Sequence, residues 1–286
     1  MSTVKQFSSS PSLLPMYARA ALNGPLRRGD SLPDTVYSLA AQAVDGQRLA
    51  AYQQVCGFRV GDELPPTYLH VLAFPLSVAL MVQPSFPFPL VGLVHVANSI
   101  TVLRSVRAGE QVSFTVQLAD LRPHHAGRQL DVLADAFVQD ELVWSGRSTY
   151  LRRGKSETTP ERPKQAPADR SEPVGTMSQL RVPENIGRRY AAVSGDRNPI
   201  HLHALTARAF GFPKAIAHGM WLKARTLAAL EGRLPEAFSV DVAFKTPVLL
   251  PSGITIATAP EGAGWTLDVR NARSGKPHLI GAVRAL

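Results

Sequence analysis

Apolar and polar positions along the chain fall into two similar series. In the first, an apolar helical run from Leu72 to Met81 precedes a strand and turn, Leu103-Arg-Ser-Val106…Gly109…Val112. Strand-like alternation follows at Val112 to Leu118 and at Gln129 to Val138. In the second, an apolar helix from Met220 to Leu230 is stopped by Gly232 and followed by Phe244-Lys…Val248…Pro251…Ile254. Alternation returns at Ile254 to Thr258 and at Trp265 to Val269. Ahead of each helix lies a short echo, Cys56-Gly-Phe58 with Tyr68-Leu-His-Val-Leu72 against Phe210-Gly-Phe212 with Ile216-Ala-His-Gly-Met220. Four elements in the same order point to diverged copies. Aligned on the two Gly-Phe pairs, Gln42 falls opposite Asp196 and Gln47 opposite His201; aligned on the Tyr68–Leu72 and Ile216–Met220 echoes, Val71 falls opposite Gly219.

Between the series, Gly154 to Thr176 is rich in proline and in charges of both signs and nearly free of large apolar residues, as a solvated linker is. The expected organisation is therefore an N-terminal unit at 1–153, a linker at 154–176 and a C-terminal unit at 177–286. The Met220 helix is apolar around much of its circumference, which predicts enclosure on several sides. The expected class is α+β: in each half a central helix wrapped by a curved antiparallel sheet, the hotdog arrangement, and a double hotdog over the whole chain.

At 286 residues with 45% apolar and 19% charged residues, the chain can bury a proper core. The longest apolar run, Val71 to Val82, is too short for a membrane span and contains Pro75. The Ser-rich N-terminus lacks the apolar stretch of a secretory signal. Cys56 is the single cysteine, so no internal disulfide forms and a cytoplasmic location is expected. A net charge of +9 favours an anionic partner. Nucleic acid is disfavoured, because no dense Lys/Arg block is interleaved with aromatics.

The chemistry concentrates in Tyr190-Ala-Ala-Val-Ser-Gly-Asp-Arg-Asn-Pro-Ile-His-Leu-His203. Gly195 and Asn198-Pro199 favour a turn, so that Asp196 and His201 face one point. A carboxylate and an imidazole sharing a water can activate it or shuttle its proton. Unpaired N–H groups at the helix start near Gly219 suit an oxygen gaining negative charge.

The run Ser-Gly-Asp-x-Asn-Pro-Ile-His…Ala-Phe-Gly-Phe…Ile-Ala-His-Gly-Met resembles the MaoC-like, hydratase-2-type dehydratases of the hotdog superfamily. A looser likeness extends into the first half through Leu64-Pro-Pro-Thr-Tyr68 and Phe86-Pro-Phe-Pro-Leu-Val-Gly-Leu-Val-His95. The resemblance implies syn addition of water to a trans-2-enoyl thioester, giving the (R)-3-hydroxyacyl thioester, and the reverse dehydration. It implies Asp196 and His201 as the acid/base pair and the Gly219 N–H as oxyanion donor, with Asn198, Ser194 and His218 in support. A polar side chain that several relatives carry two turns into the central helix falls at Leu227, with Thr226 beside it as the candidate substitute.

No metal or redox cofactor is expected, since the substrate itself carries CoA or the phosphopantetheine of an acyl-carrier protein. Asp196, His201, His203 and His218 also suit zinc or iron, but the helix start would then lack a purpose. Arg104, Arg107 and Lys245 are candidates to bind phosphates at the thioester entrance, or are solvated charges at strand ends. The first half lacks the catalytic pair and is expected to shape the acyl cavity. A homodimer is compatible with the chain. The competing functions are a hotdog acyl-thioesterase and a non-catalytic acyl-thioester binding protein.

Overall fold

The computed structural model describes residues 3–23, 30–90, 92–154 and 175–286. The first half runs β1 (Thr3–Phe7), α1 (Leu13–Asn23), β2 (Thr35–Ala43), α2 (Gly46–Cys56), α3 (Pro66–Met81), β3 (Leu93–Val102), β4 (Gln111–His124), β5 (Gly127–Val138) and β6 (Glu141–Arg153). The second runs β7 (Thr176–Val182), α4 (Ile186–Ser194), α5 (Pro199–Leu202), α6 (Ala204–Ala209), α7 (Gly219–Ala228), β8 (Phe238–Phe244), β9 (Ser252–Glu261), β10 (Gly264–Asn271) and β11 (Pro277–Ala285). Most of the expected linker, 155–174, lies outside the described residues, and Thr176 at its end already belongs to β7.

All strands join one sheet in the order β1-β2-β4-β5-β6-β3-β8-β11-β10-β9-β7. Setting β1 aside, the strands of each half follow the same internal order, and the two sets meet through antiparallel pairing of β3 with β8. Each set encloses one long helix, α3 or α7, as a double hotdog requires. Leu69, Leu76 and Leu80 of α3 and Trp221, Ala224 and Leu227 of α7 are buried in one continuous core. Helix α3 starts six residues before the apolar run because Pro66 occupies its first position, where a missing N–H costs nothing. Among the described residues, no helix is long and apolar enough to cross a membrane.

The duplication is real, but its register differs from the Gly-Phe alignment. Helix α2 ends on left-handed Gly57 (φ 79°), whose N–H bonds to Gln53, and α4 ends on left-handed Gly195 (φ 80°), whose N–H bonds to Ala191. Leu64 N–H donates to Val106 at 2.9 Å and Ala217 N–H to Val248 at 3.0 Å. Ala108 N–H donates to Asp62 at 2.8 Å and Leu250 N–H to Ala215 at 2.9 Å. These matched bonds place Phe58 opposite Asp196, Pro65 opposite His218 and Pro66 opposite Gly219. The second half carries an insertion at 196–216, holding α5 and α6, where the first has only residues 58–63. Gln42 and Gln47 are thus not counterparts of the pair: Gln42 donates to Ser8, Ala40 and Ala41 carbonyls, and Gln47 sits exposed in the first turn of α2.

A buried lysine pins the seam. Lys223 of α7, fully inaccessible, donates from Nζ to Asn98 Oδ1 at 2.6 Å, to Asn98 O at 3.2 Å and to Val240 O at 3.0 Å. Asn98 lies on β3 and Val240 on β8, so one amino group ties α7 to both central strands. Asn98 is itself held by donation from Nδ2 to Arg147 O and Ser148 Oγ of β6. Burial holds the Lys223 amine well below the usual lysine range. Three oxygens around three donors offset that cost. Lys223→Met keeps the volume but strands the Asn98 amide oxygen in a dry interior, where an unsatisfied acceptor costs about 1–3 kcal/mol. Urea denaturation should show a loss of about 2–4 kcal/mol, partly recovered in Lys223→Met/Asn98→Leu.

Candidate active site

The turn after α4 is built to a single shape. Gly195 takes the positive φ that a side chain resists, and Ser194 Oγ accepts the Asp196 N–H at 3.1 Å. Asp196 Oδ1 accepts the Asn198 N–H at 3.2 Å, so one carboxylate oxygen closes the turn. Asn198 caps α5, accepting the Ile200 N–H, and Pro199 starts that short helix. His201 follows on α5 and packs against Gly187 of α4, where any Cβ would run into the His201 carbonyl.

His201 Nδ1 lies 2.8 Å from the Ile216 carbonyl oxygen. A carbonyl only accepts, so Nδ1 carries the proton and Nε2 keeps its lone pair. His218, at the start of α7, lies with Nε2 3.0 Å from the Asp196 carbonyl oxygen and by the same logic donates from Nε2. The two imidazoles stack at 3.7 Å between centroids, and Tyr190 packs against His218 at 4.9 Å. Burial depresses the pKa of both. For His201, the Asp196 charge and the Ile216 bond oppose that shift; for His218, the neighbouring His201 adds to it. Both rings are therefore neutral at neutral pH. Asp196, His201 and His218 each offer a ligand atom within 4.8 Å of the others. That span lets one water bridge two of them, since each leg needs about 2.8 Å. The same donors suit a transition metal, with both imidazoles oriented through their second nitrogen. His203 is exposed and stands outside this group.

These residues open onto a cavity of about 190 Å³ at the seam. Its second-half wall includes Ser194, Asp196, Asn198, His201, His218, Gly219 and Phe244. Its first-half wall includes His70, Phe74, His95 and Tyr150; His70 and His95 fall in the stretches that carry the internal echo and the looser family likeness, but none of the four was expected at the site. His95 sits at a bulge in β3, between His95 and Ala97, the kind of irregularity that re-aims a side chain. Burial pushes His70 down to about 4 and holds His95 well below the histidine range; His70 adds to the shift of His95, and the Lys223 charge to both. The wall facing Asp196 is therefore polar in composition but uncharged.

Of the three cations singled out, only Lys245 borders this cavity, exposed at its rim with Arg153 of β6. Arg104 and Arg107 line a separate crevice of about 560 Å³ beside Phe58, Pro65 and Pro66, the position related to the first cavity by the duplication. There Arg104 pairs with Glu110 at 3.0 Å and Glu141 at 3.1 Å. Thr226 is fully buried and donates its hydroxyl to Leu222 O at 2.8 Å, one turn back. It does not border the cavity, and Leu227 is core.

Comparison with known proteins agrees with this geometry. A MaoC-like domain matches residues 159–276, and a FAS1-like dehydratase domain region matches residues 37–142. The chain is 36% identical over 280 residues to 3-hydroxyacyl-thioester dehydratase X of Mycobacterium tuberculosis, covering 97% of this chain and all of that protein. A crystal structure of HtdX from the same organism superimposes with a TM-score of 0.78 at 35% identity, covering 88% of this chain and 100% of that one. A MaoC-like dehydratase from Phytophthora capsici shares the fold, with a TM-score of 0.71 at 17% identity over 88% of this chain and 94% of that one. With a full-length relative at this identity and the Asp196/His201 turn in place, the chain belongs to the MaoC-like dehydratases.

Proposed function

We propose that the chain catalyses reversible hydration of trans-2-enoyl thioesters to (R)-3-hydroxyacyl thioesters in fatty-acid metabolism, with Asp196 and His201 as its acid/base pair. The observation that carries the residue roles is the fixed tautomer of His201. With Nδ1–H committed to Ile216 O, the Nε2 lone pair is presented beside Asp196 in a cavity entered by the start of α7.

A water held between Asp196 and His201 adds to C3 of the enoyl thioester. The pair takes its proton as the C–O bond forms and returns a proton to C2 from the same side, which makes the addition syn. Negative charge grows on the thioester oxygen meanwhile, and the Gly219 N–H, with the positive end of α7 behind it, stabilises that charge. Dehydration is the same path reversed. His218 holds the Asp196 backbone, and Asn198 and Ser194 hold the turn. No metal takes part in this scheme. The thioester arm carries CoA or a carrier-protein phosphopantetheine, whose phosphates meet Lys245 and Arg153 at the rim.

Hydration followed by loss of enoyl-thioester absorbance should drop roughly 10²–10⁴-fold in kcat for Asp196→Asn and for His201→Gln, the usual worth of a general acid or base. Free thiol should not appear, and chelators should leave the rate unchanged; thiol release would reveal a thioesterase instead. Because burial lowers the His201 pKa, the base stays unprotonated to a pH below the ordinary value of 6.5. The kcat/KM profile should therefore be flat through neutrality and fall only at more acid pH, as Nε2 protonates. Lys245→Glu should raise KM for an acyl-CoA about 5-fold or more while leaving kcat within about 2-fold.

A further inference from the structure

Helix α1 precedes the first hotdog repeat and has no counterpart among the described residues of the second half, yet it lies against the catalytic turn. Leu13 packs directly on Gly195, and Leu13 and Met16 pack with Phe74 and Val78 of α3 and with Val82 just past its end. Phe74 lines the cavity, so α1 touches both the turn and a cavity wall. One helical turn beyond Leu13, the Tyr17 hydroxyl reaches the turn itself. It accepts the Arg197 N–H at 3.2 Å and lies 3.5 Å from both Asp196 Oδ1 and the Gly195 carbonyl oxygen.

From these contacts we infer that Tyr17 is a positioning residue for Asp196, donating its hydroxyl proton to the carboxylate while its oxygen receives the Arg197 N–H. The inference rests on the hydratase reading above. One hydroxyl proton has two acceptors at equal distance, and the charged carboxylate is the stronger. Its oxygen cannot take the Arg197 N–H unless it sits over the turn, so donor and acceptor roles fix the same position. Oδ1 then has two donors, the Asn198 N–H and Tyr17, and the carboxylate cannot rotate without losing both. Oδ2 is left toward His218 Nε2, 3.8 Å away, and toward the cavity. Burial and the nearby Asp196 charge both keep the Tyr17 phenol protonated, as a donor must be. The outer side of the turn is clamped further by Arg48 of α2, whose Nε donates to Val193 O at 3.0 Å.

The test is Tyr17→Phe in the full chain, which keeps the ring packing and removes only the hydroxyl, measured beside Asp196→Asn and the double variant. The expected result is a kcat roughly 5- to 30-fold lower, at and below the low end of what a hydrogen bond to a charged group is worth, as suits a contact of 3.5 Å. KM should change less than about 2-fold and the thermal midpoint should be preserved. Because Tyr17 acts through Asp196, adding Tyr17→Phe to Asp196→Asn should lower the rate no further. Full activity in Tyr17→Phe, or losses that multiply in the double variant, would overturn the role of Tyr17 alone. Activity surviving Asp196→Asn would remove the hydratase assignment of Asp196, and with it this inference.

Discussion

The antiparallel pairing of β3 with β8 is the constraint from which the rest of the molecule follows. It fuses two sets of strands into one sheet and brings the start of α7 beside residues of the other half. A cavity with one wall from each repeat exists only because that seam holds. Lys223 reinforces it where strands alone would leave α7 free to slide, by fastening the helix to Asn98 on one side and Val240 on the other. The same amine biases the cavity electrostatically. Burial lowers the pKa values of His70 and His95, and the Lys223 charge adds to that shift, so the wall opposite Asp196 stays uncharged. In a low-dielectric site an uncharged facing wall leaves the Asp196 field and the α7 dipole as the dominant local electrostatics.

What the sequence disclosed was local. Ser194 to His203 is a continuous turn whose shape follows from Gly195, Asn198 and Pro199, so its chemistry could be read without tertiary information. Apolar runs likewise located both central helices to within one or two turns. The repeat was visible, but its register was misassigned through a chance Gly-Phe match. The glycine that shares a role with Gly57 is Gly195, a left-handed helix stop, and an insertion follows it in only one half. Insertions displace sequence motifs without disturbing the hydrogen bonds that define the structural equivalence, and only those bonds reveal the register.

Other features carried no local signal at all. Lys223 stands in Gly219-Met-Trp-Leu-Lys223 like any solvated helix lysine, and its acceptors lie on strands distant in sequence. His95 reaches the cavity through a bulge that depends on the pairing of β3 with β6. Tyr17 lies in a Ser-rich, weakly patterned stretch and meets Asp196 across 179 residues. Arg104 and Arg107 illustrate the converse. Their position beside a strand–turn matches Lys245 by the repeat, and that symmetry carries them to the related crevice rather than to the cavity.

That crevice explains in chemical terms why the two halves are not equivalent. Pro66 stands where Gly219 stands in the other half and has no N–H to donate, so its helix start cannot offer that contact to an oxyanion. Its carbonyl oxygen instead accepts from Trp144 Nε1 at 2.9 Å. Phe58 replaces the carboxylate of Asp196, Pro65 replaces His218, and the segment that would bear a second His201 is missing. Arg104 is neutralised by Glu110 and Glu141 rather than left open for a phosphate. Each loss removes a different requirement of the proposed mechanism, and restoring any one would leave the others unmet. Under that mechanism the first half is free of catalytic demands, and its residues His70, Phe74, His95 and Tyr150 can vary with the acyl group rather than with the reaction.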